Sequence, residues 1–156
     1  MSYSFPLKVV ANIEKYMDIP YSNLLDAHTN IHSAMFNQFN LQLGSAEKTH
    51  QTSEELIAAS SFGNLNPQLV NQLCEASRYT VISSTGKLPP ALQGIWGGTW
   101  RPNWSGDFTQ NGNVQSAIAC GLNCNFQEVT EAHLNYMWSK IDDFRDNARD
   151  LYRAEI

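Results

Sequence analysis

Residues 85–112 hold six of the nine glycines, three of the six prolines and three of the four tryptophans of a 156-residue chain. Glycine and proline at this density break both helical and strand periodicity. Three indoles are too much apolar surface for disordered chain. An irregular segment this long inside a domain is uncommon, and where it is ordered it usually carries function. The chain must therefore hold a long shaped loop between two blocks of regular structure.

Both blocks read as helical. Residues 6–17 predict a short amphipathic helix, and Pro20 suits the first turn of a second. In that second helix Leu24, His28, Ile31, Met35 and Phe39 step by three or four. The run Phe39–Leu43 alternates and predicts an extended segment. Thr52 with Glu55 has capping-box spacing. Asn66-Pro67 predicts a helix start, with Asn as cap and Pro at the first position, and the pattern runs to about Ser83 before Gly86. Beyond the loop, residues 113–122 are small and apolar and predict a buried helix. Residues 126–153 predict one long helix with arginines and aspartates alternating on its outer face.

Composition narrows the function. Fifteen acids against ten bases give a formal charge of -5, the opposite of a nucleic-acid binder's electrostatic footprint. No window approaches the roughly 18 apolar residues of a membrane span. Met1 to Val10 carries only Lys8 and is too short for a secretory signal. Cys74, Cys120 and Cys124 match no zinc spacing with the histidines. We expect no cofactor, no metal, no nucleic-acid partner and no membrane span.

The loop is the first place to look for chemistry. Trp96, Trp100 and Trp104 recur every four residues, where Gly97, Gly98 and Pro102 forbid a helix. Indole faces suit the C–H faces of sugars, and the indole N–H offers one donor. Asp107 adds a carboxylate, and Gln93, Asn103, Gln110, Asn111, Asn113 and Gln115 add neutral hydrogen-bonding groups, as a pocket that reads hydroxyls requires. Taken alone, the tryptophans equally serve to pin the loop, and Asn111-Gly112-Asn113 equally makes a turn. His28 and His32, four apart, share a helix face and lack a third ligand. Cys120 and Cys124 read as small core residues.

Two stretches carry a resemblance. Ser77-Arg78-Tyr79-Thr80-Val81-Ile82-Ser83-Ser84 precedes Leu88-Pro89-Pro90-Ala91-Leu92-Gln93-Gly94-Ile95-Trp96, and Trp104, Asp107 and Asn111-Gly112-Asn113-Val114-Gln115 follow. This ordered set resembles glycoside hydrolase family 95, across roughly residues 20–150. His28 and Phe36, upstream, resemble the family's first barrel helix. The resemblance implies an all-α fold, part of an (α/α)6 toroid of helical hairpins. It implies hydrolysis of terminal α-L-fucosides, or α-L-galactosides in some members, with inversion. It places Asn111 and Asn113 as the pair that holds the attacking water, and Trp96, Trp104, Gln93, Asp107 and His28 as substrate-binding residues. The partner it implies is a glycan.

The chain departs from the family pattern at Gly112, where a bulky residue is usual. It also departs at Ser116, Ala117, Ile118 and Ala119, which stand where methionine, asparagine, tyrosine and tryptophan are common. The family's general acid and base lie well downstream of the asparagine pair. We therefore expect 1–156 to be a single domain and a fragment of a six-hairpin catalytic barrel, inactive alone and prone to self-association. The full-length chain is expected outside the cytoplasm if it carries a signal peptide. The rival expectation is a non-catalytic carbohydrate-binding or structural helical module.

Overall fold

The structure is a computed structural model and describes residues 4–45 and 50–153. Among these the regular structure is all-helical, with seven α-helices and no strand. By contact density the chain divides at Met35/Phe36.

The first unit holds α1 (Ser4–Met17) and most of α2 (Tyr21–Phe36). The carbonyl of Pro20 receives the amides of Asn23 (3.0 Å) and Leu24 (3.3 Å), so α2 starts directly after the proline. Its apolar side chains are not buried: Val10, Ile13, Met17, Tyr21 and Ile31 are all more than half exposed.

The second unit holds α3 (Ser53–Ala58), α4 (Pro67–Ser84), α5 (Asn113–Ile118), α6 (Gln127–Ser139) and α7 (Ile141–Tyr152). The Thr52–Glu55 capping box forms: Thr52 N–H donates to the Glu55 carboxylate at 2.8 Å, and Glu55 N–H donates to the Thr52 hydroxyl at 3.3 Å. Asn66 caps α4 through Gln68 N–H at 2.9 Å. Thr85, one residue before Gly86, is the C-cap, and its hydroxyl donates to the Val81 carbonyl at 2.7 Å. Residues 39–43 are non-helical as expected, and the Asn71 amide pairs with them as a strand would. It accepts from Leu43 N–H (2.9 Å) and donates to Leu43 C=O (3.1 Å).

The core of this unit is Leu56, Leu69, Ile82, Val114, Phe126, Val129 and Ala132, so α3, α4, α5 and α6 share it. One charged side chain joins it. Arg78 is 4% exposed and donates to the carbonyls of Phe36 (3.0 Å) and Cys124 (2.6 Å). Its guanidinium also lies 5.2 Å from the Phe39 ring centre. A planar fork with several donors can hold two carbonyls from different segments at once.

Two expectations are corrected. The buried helix over 113–122 ends at Ile118, and only Val114 on it is buried. The chain then turns through 119–125, because buried Gly121 lies against α6. A Cβ there would sit 2.7 Å from Val129 Cγ1. The long helix over 126–153 is two helices meeting at Lys140, whose backbone sits at φ -105°, ψ 4°. Lys140 N–H closes α6 on Met137 at 3.1 Å, and its carbonyl opens α7 by receiving Phe144 N–H at 3.0 Å. Asp142 and Asp143 in the first turn of α7 favour a helix start there. The outer face of α7 carries the expected ion pairs, among them Arg145–Asp142 at 3.1 Å and Arg149–Asp146 at 2.7 Å. Exposed as they are, such pairs contribute at most about 1 kcal/mol each.

Candidate functional site

The loop leaves the end of α4 and returns to α5, closed by a short stem. Leu92 N–H donates to the Asp107 carbonyl at 2.9 Å. Inside the stem, Gln93 donates its side-chain N–H to the Asn103 carbonyl at 2.6 Å. Its Oε1 is buried without a hydrogen-bond partner. Gln93 thus staples one side of the loop to the other.

The tryptophans do not form a buried cluster. Trp96 is 52% exposed and Trp104 80%, while Trp100 is fully exposed. The Trp96 indole lies over the Gly94 backbone: a Cβ on Gly94 would stand 2.9 Å from two ring atoms. Gly94 also has φ +56°, where L side chains are disfavoured. Trp104 and Ser105, within a single 3-10 turn over Asn103–Gly106, have φ 57° and 58°. Two consecutive non-glycine residues in the left-handed region cost of order 1–3 kcal/mol each, and such strain gathers at ligand-binding segments.

Asp107 takes its place through Thr109, whose hydroxyl donates to its carboxylate. The Thr109 carbonyl receives Val114 N–H at 3.1 Å, which ties the loop exit to the start of α5. Phe108 packs on Tyr136 of α6, with ring centres 4.8 Å apart.

Asn111 and Asn113 flank Gly112, whose φ of +130° is open to glycine and strained for other residues. Both asparagines are exposed, and Asn113 is the first residue of α5. The turn between them is clamped by Gln115. Its carbonyl oxygen accepts Gly112 N–H at 3.2 Å, and its amide donates to the Gln110 backbone carbonyl at 2.7 Å. In the sequence Gln115 stands as one of several amides and as the last residue of the Asn111–Gln115 motif, without a role of its own. Its signal was its place three residues after Gly112, the reach-back spacing of a capping box. Arg78 was quoted in a motif without a role, and its clamp on two carbonyls depends on tertiary neighbours.

Gln93, Trp96, Trp104, Asp107, Asn111 and Asn113 thus share one hydrogen-bonded loop in the second unit. His28 is on α2, in the first unit. It is exposed, with its ring centre 5.5 Å from that of His32. Among the described residues no group of three His, Cys, Asp or Glu side chains is placed to hold a metal ion. No described helix is long and apolar enough to cross a membrane.

Sequence comparison adds identity to this geometry. The chain is 35% identical over 137 residues to a probable alpha-fucosidase A of Aspergillus niger, a match covering 84% of this chain and 17% of that protein. A protein of the same name from Aspergillus oryzae is 35% identical over 127 residues, 74% of this chain and 17% of its own. The chain therefore spans 17% of the length of the curated relatives it matches. No solved structure matches it. Residues 20–155 match the sequence model of the glycosyl hydrolase family 95 catalytic domain, a range that takes in the stapled loop and the clamped asparagine turn. The chain belongs to glycosyl hydrolase family 95.

Proposed function

We propose that this chain is the part of a glycoside hydrolase barrel that supplies the water-holding asparagines and one wall of the sugar site. The observation that carries this reading is the Asn111-Gly112-Asn113 turn: two exposed carboxamides on a backbone that Gln115 fixes from both sides. In an inverting hydrolysis a carboxylic acid protonates the leaving oxygen, and a base activates water on the opposite face of the sugar. A neutral amide can orient that water without competing for its proton. Asn111 and Asn113 take that role, and the acid and base come from sequence beyond residue 156.

The substrate is a glycan ending in α-L-fucose or α-L-galactose. Trp96 and Trp104 offer indole faces to the sugar. Asp107 receives a hydroxyl hydrogen, and Gln93 holds the loop in shape around the sugar. The left-handed backbone at Trp104 and Ser105 supports this reading, since it holds an apolar ring out into solvent at a conformational cost. The 156 residues form one portion of a six-hairpin domain and hydrolyse nothing alone.

The test is to extend the coding sequence beyond Ile156 and assay the longer protein on aryl α-L-fucosides and α-L-galactosides. Turnover should fall by at least about 100-fold on Asn113→Ala, the loss typical of a water-positioning group. Product anomers read by NMR should be inverted. Turnover by residues 1–156 alone would overturn the fragment reading. The exposed Trp100 and Trp104 favour one second reading, a glycan-binding module without chemistry. It predicts fucoside binding by the longer protein that Trp104→Ala removes, with no hydrolysis.

A further inference from the structure

The three cysteines, Cys74, Cys120 and Cys124, are all free thiols, and Cys124 interacts with each of the other two. Cys120 and Cys124 sit in the turn between α5 and α6. Cys124 N–H donates to the Cys120 carbonyl at 2.8 Å, closing a single α-type turn. Residues four apart in such a turn share a face, with Cα atoms about 6 Å apart by helical rise. That lies inside the Cα range of about 4.4–6.8 Å that a disulfide spans, and the turn must tighten to bring the Cβ atoms from about 5–6 Å to about 4 Å. The Cys120 thiol also interacts electrostatically with Cys124. Cys74, on α4, interacts electrostatically with Cys124, and Arg78, one turn further along α4, holds the Cys124 carbonyl at 2.6 Å.

We propose that Cys120 and Cys124 form an oxidisable dithiol, a modification site that a small disulfide such as oxidised glutathione converts to an intramolecular disulfide. Cys120 is the exposed member and the entry point. Its thiolate attacks one sulfur of the oxidant, whose S–S bond breaks and releases one glutathione thiolate. Cys124 then loses its proton to solvent and attacks the Cys120 sulfur of the mixed disulfide, releasing the second glutathione. The two cysteines lose two electrons and two protons, and the oxidant gains both. The product staples the 119–125 turn, which follows α5 and carries the carbonyl held by Arg78. Desolvation of its sulfur, with Cys124 beside it, holds the Cys120 thiol above its ordinary range. The reaction is therefore slow at neutral pH and accelerates on going alkaline.

Incubation of the reduced native chain with oxidised glutathione, then alkylation and tryptic digestion, tests this. The peptide Leu88–Lys140 should lose two hydrogens and take up no alkylating agent, while Thr49–Arg78 should be alkylated at Cys74. Cys74→Ser should leave the result unchanged, and Cys120→Ser should abolish it. Two alkyl groups on Leu88–Lys140 would overturn the proposal. So would a stable glutathione adduct at Cys120, or a cross-link between Leu88–Lys140 and Thr49–Arg78.

Discussion

Gln115 shows how one side chain sets the geometry of the two beside it. Its carboxamide accepts from Gly112 and donates to Gln110, so the backbone between them cannot rotate freely. Gln115→Leu removes both bonds, each worth about 1 kcal/mol. The expected result is roughly five-fold faster hydrogen exchange at Gly112 N–H, with the thermal midpoint lowered by about 4–8 °C. In an extended, active protein the same change should lower kcat more than it raises KM, because orientation rather than binding is lost. Unchanged exchange at Gly112 would remove the clamp from the argument. The thiols make a second prediction at this scale. Burial, then the neighbouring Cys124, raises the Cys74 thiol above its ordinary value, and desolvation does the same for Cys120. In the alkaline window between unfolded and folded values the unfolded chain has released protons that the native state keeps. Stability contributed by these groups is full below the unfolded value and falls as pH rises through the folded one. The unfolding midpoint of the reduced wild type should therefore drop more steeply with alkaline pH than that of a Cys74→Ala/Cys120→Ala variant. Parallel pH profiles would refute the assignment.

At the scale of elements, most starts were legible, as were the stops of α1, α4 and α7, whereas those of α5 and α6 were not. Thr52, Glu55, Asn66 and Pro67 act on backbone groups within three residues, so their capping roles depend on local sequence alone. The end of α5 depends on packing. Gly121 must lie against Val129, and nothing adjacent to Gly121 in sequence announces that contact. Arg78 belongs to the same class: it joins the end of α2, at Phe36, to the turn at Cys124. Arg78→Met should cost on the order of 2–4 kcal/mol, because two carbonyls lose charged donors and a similar-sized apolar chain supplies none. Urea unfolding followed by tryptophan fluorescence would measure it, and a loss under about 0.5 kcal/mol, the usual effect of a surface substitution, would show that the clamp is dispensable.

Across the whole molecule the core is small for the apolar surface the chain carries. Seven buried apolar residues lie in the second unit, whereas Phe62, Trp100, Trp138 and Leu151 stand at least 70% exposed there. Surfaces like these belong to an interface or a larger assembly. The isolated chain should sediment well above 17.5 kDa at tens of micromolar, with association strengthened by sulfate, since the driving force is apolar burial. A monodisperse monomer across that range would contradict this. The family and the all-helical class were readable from sequence, because capping residues and hydrophobic spacing act locally and the ordered motifs sit at fixed intervals. The loop residues could be named in advance for the same reason: their chemistry is in their side chains. Their arrangement could not. That Gln93 crosses the loop to Asn103 and that Arg78 reaches Cys124 were decided by tertiary structure. Each joins groups whose partner is set by where the folded backbone passes, not by the residues on either side.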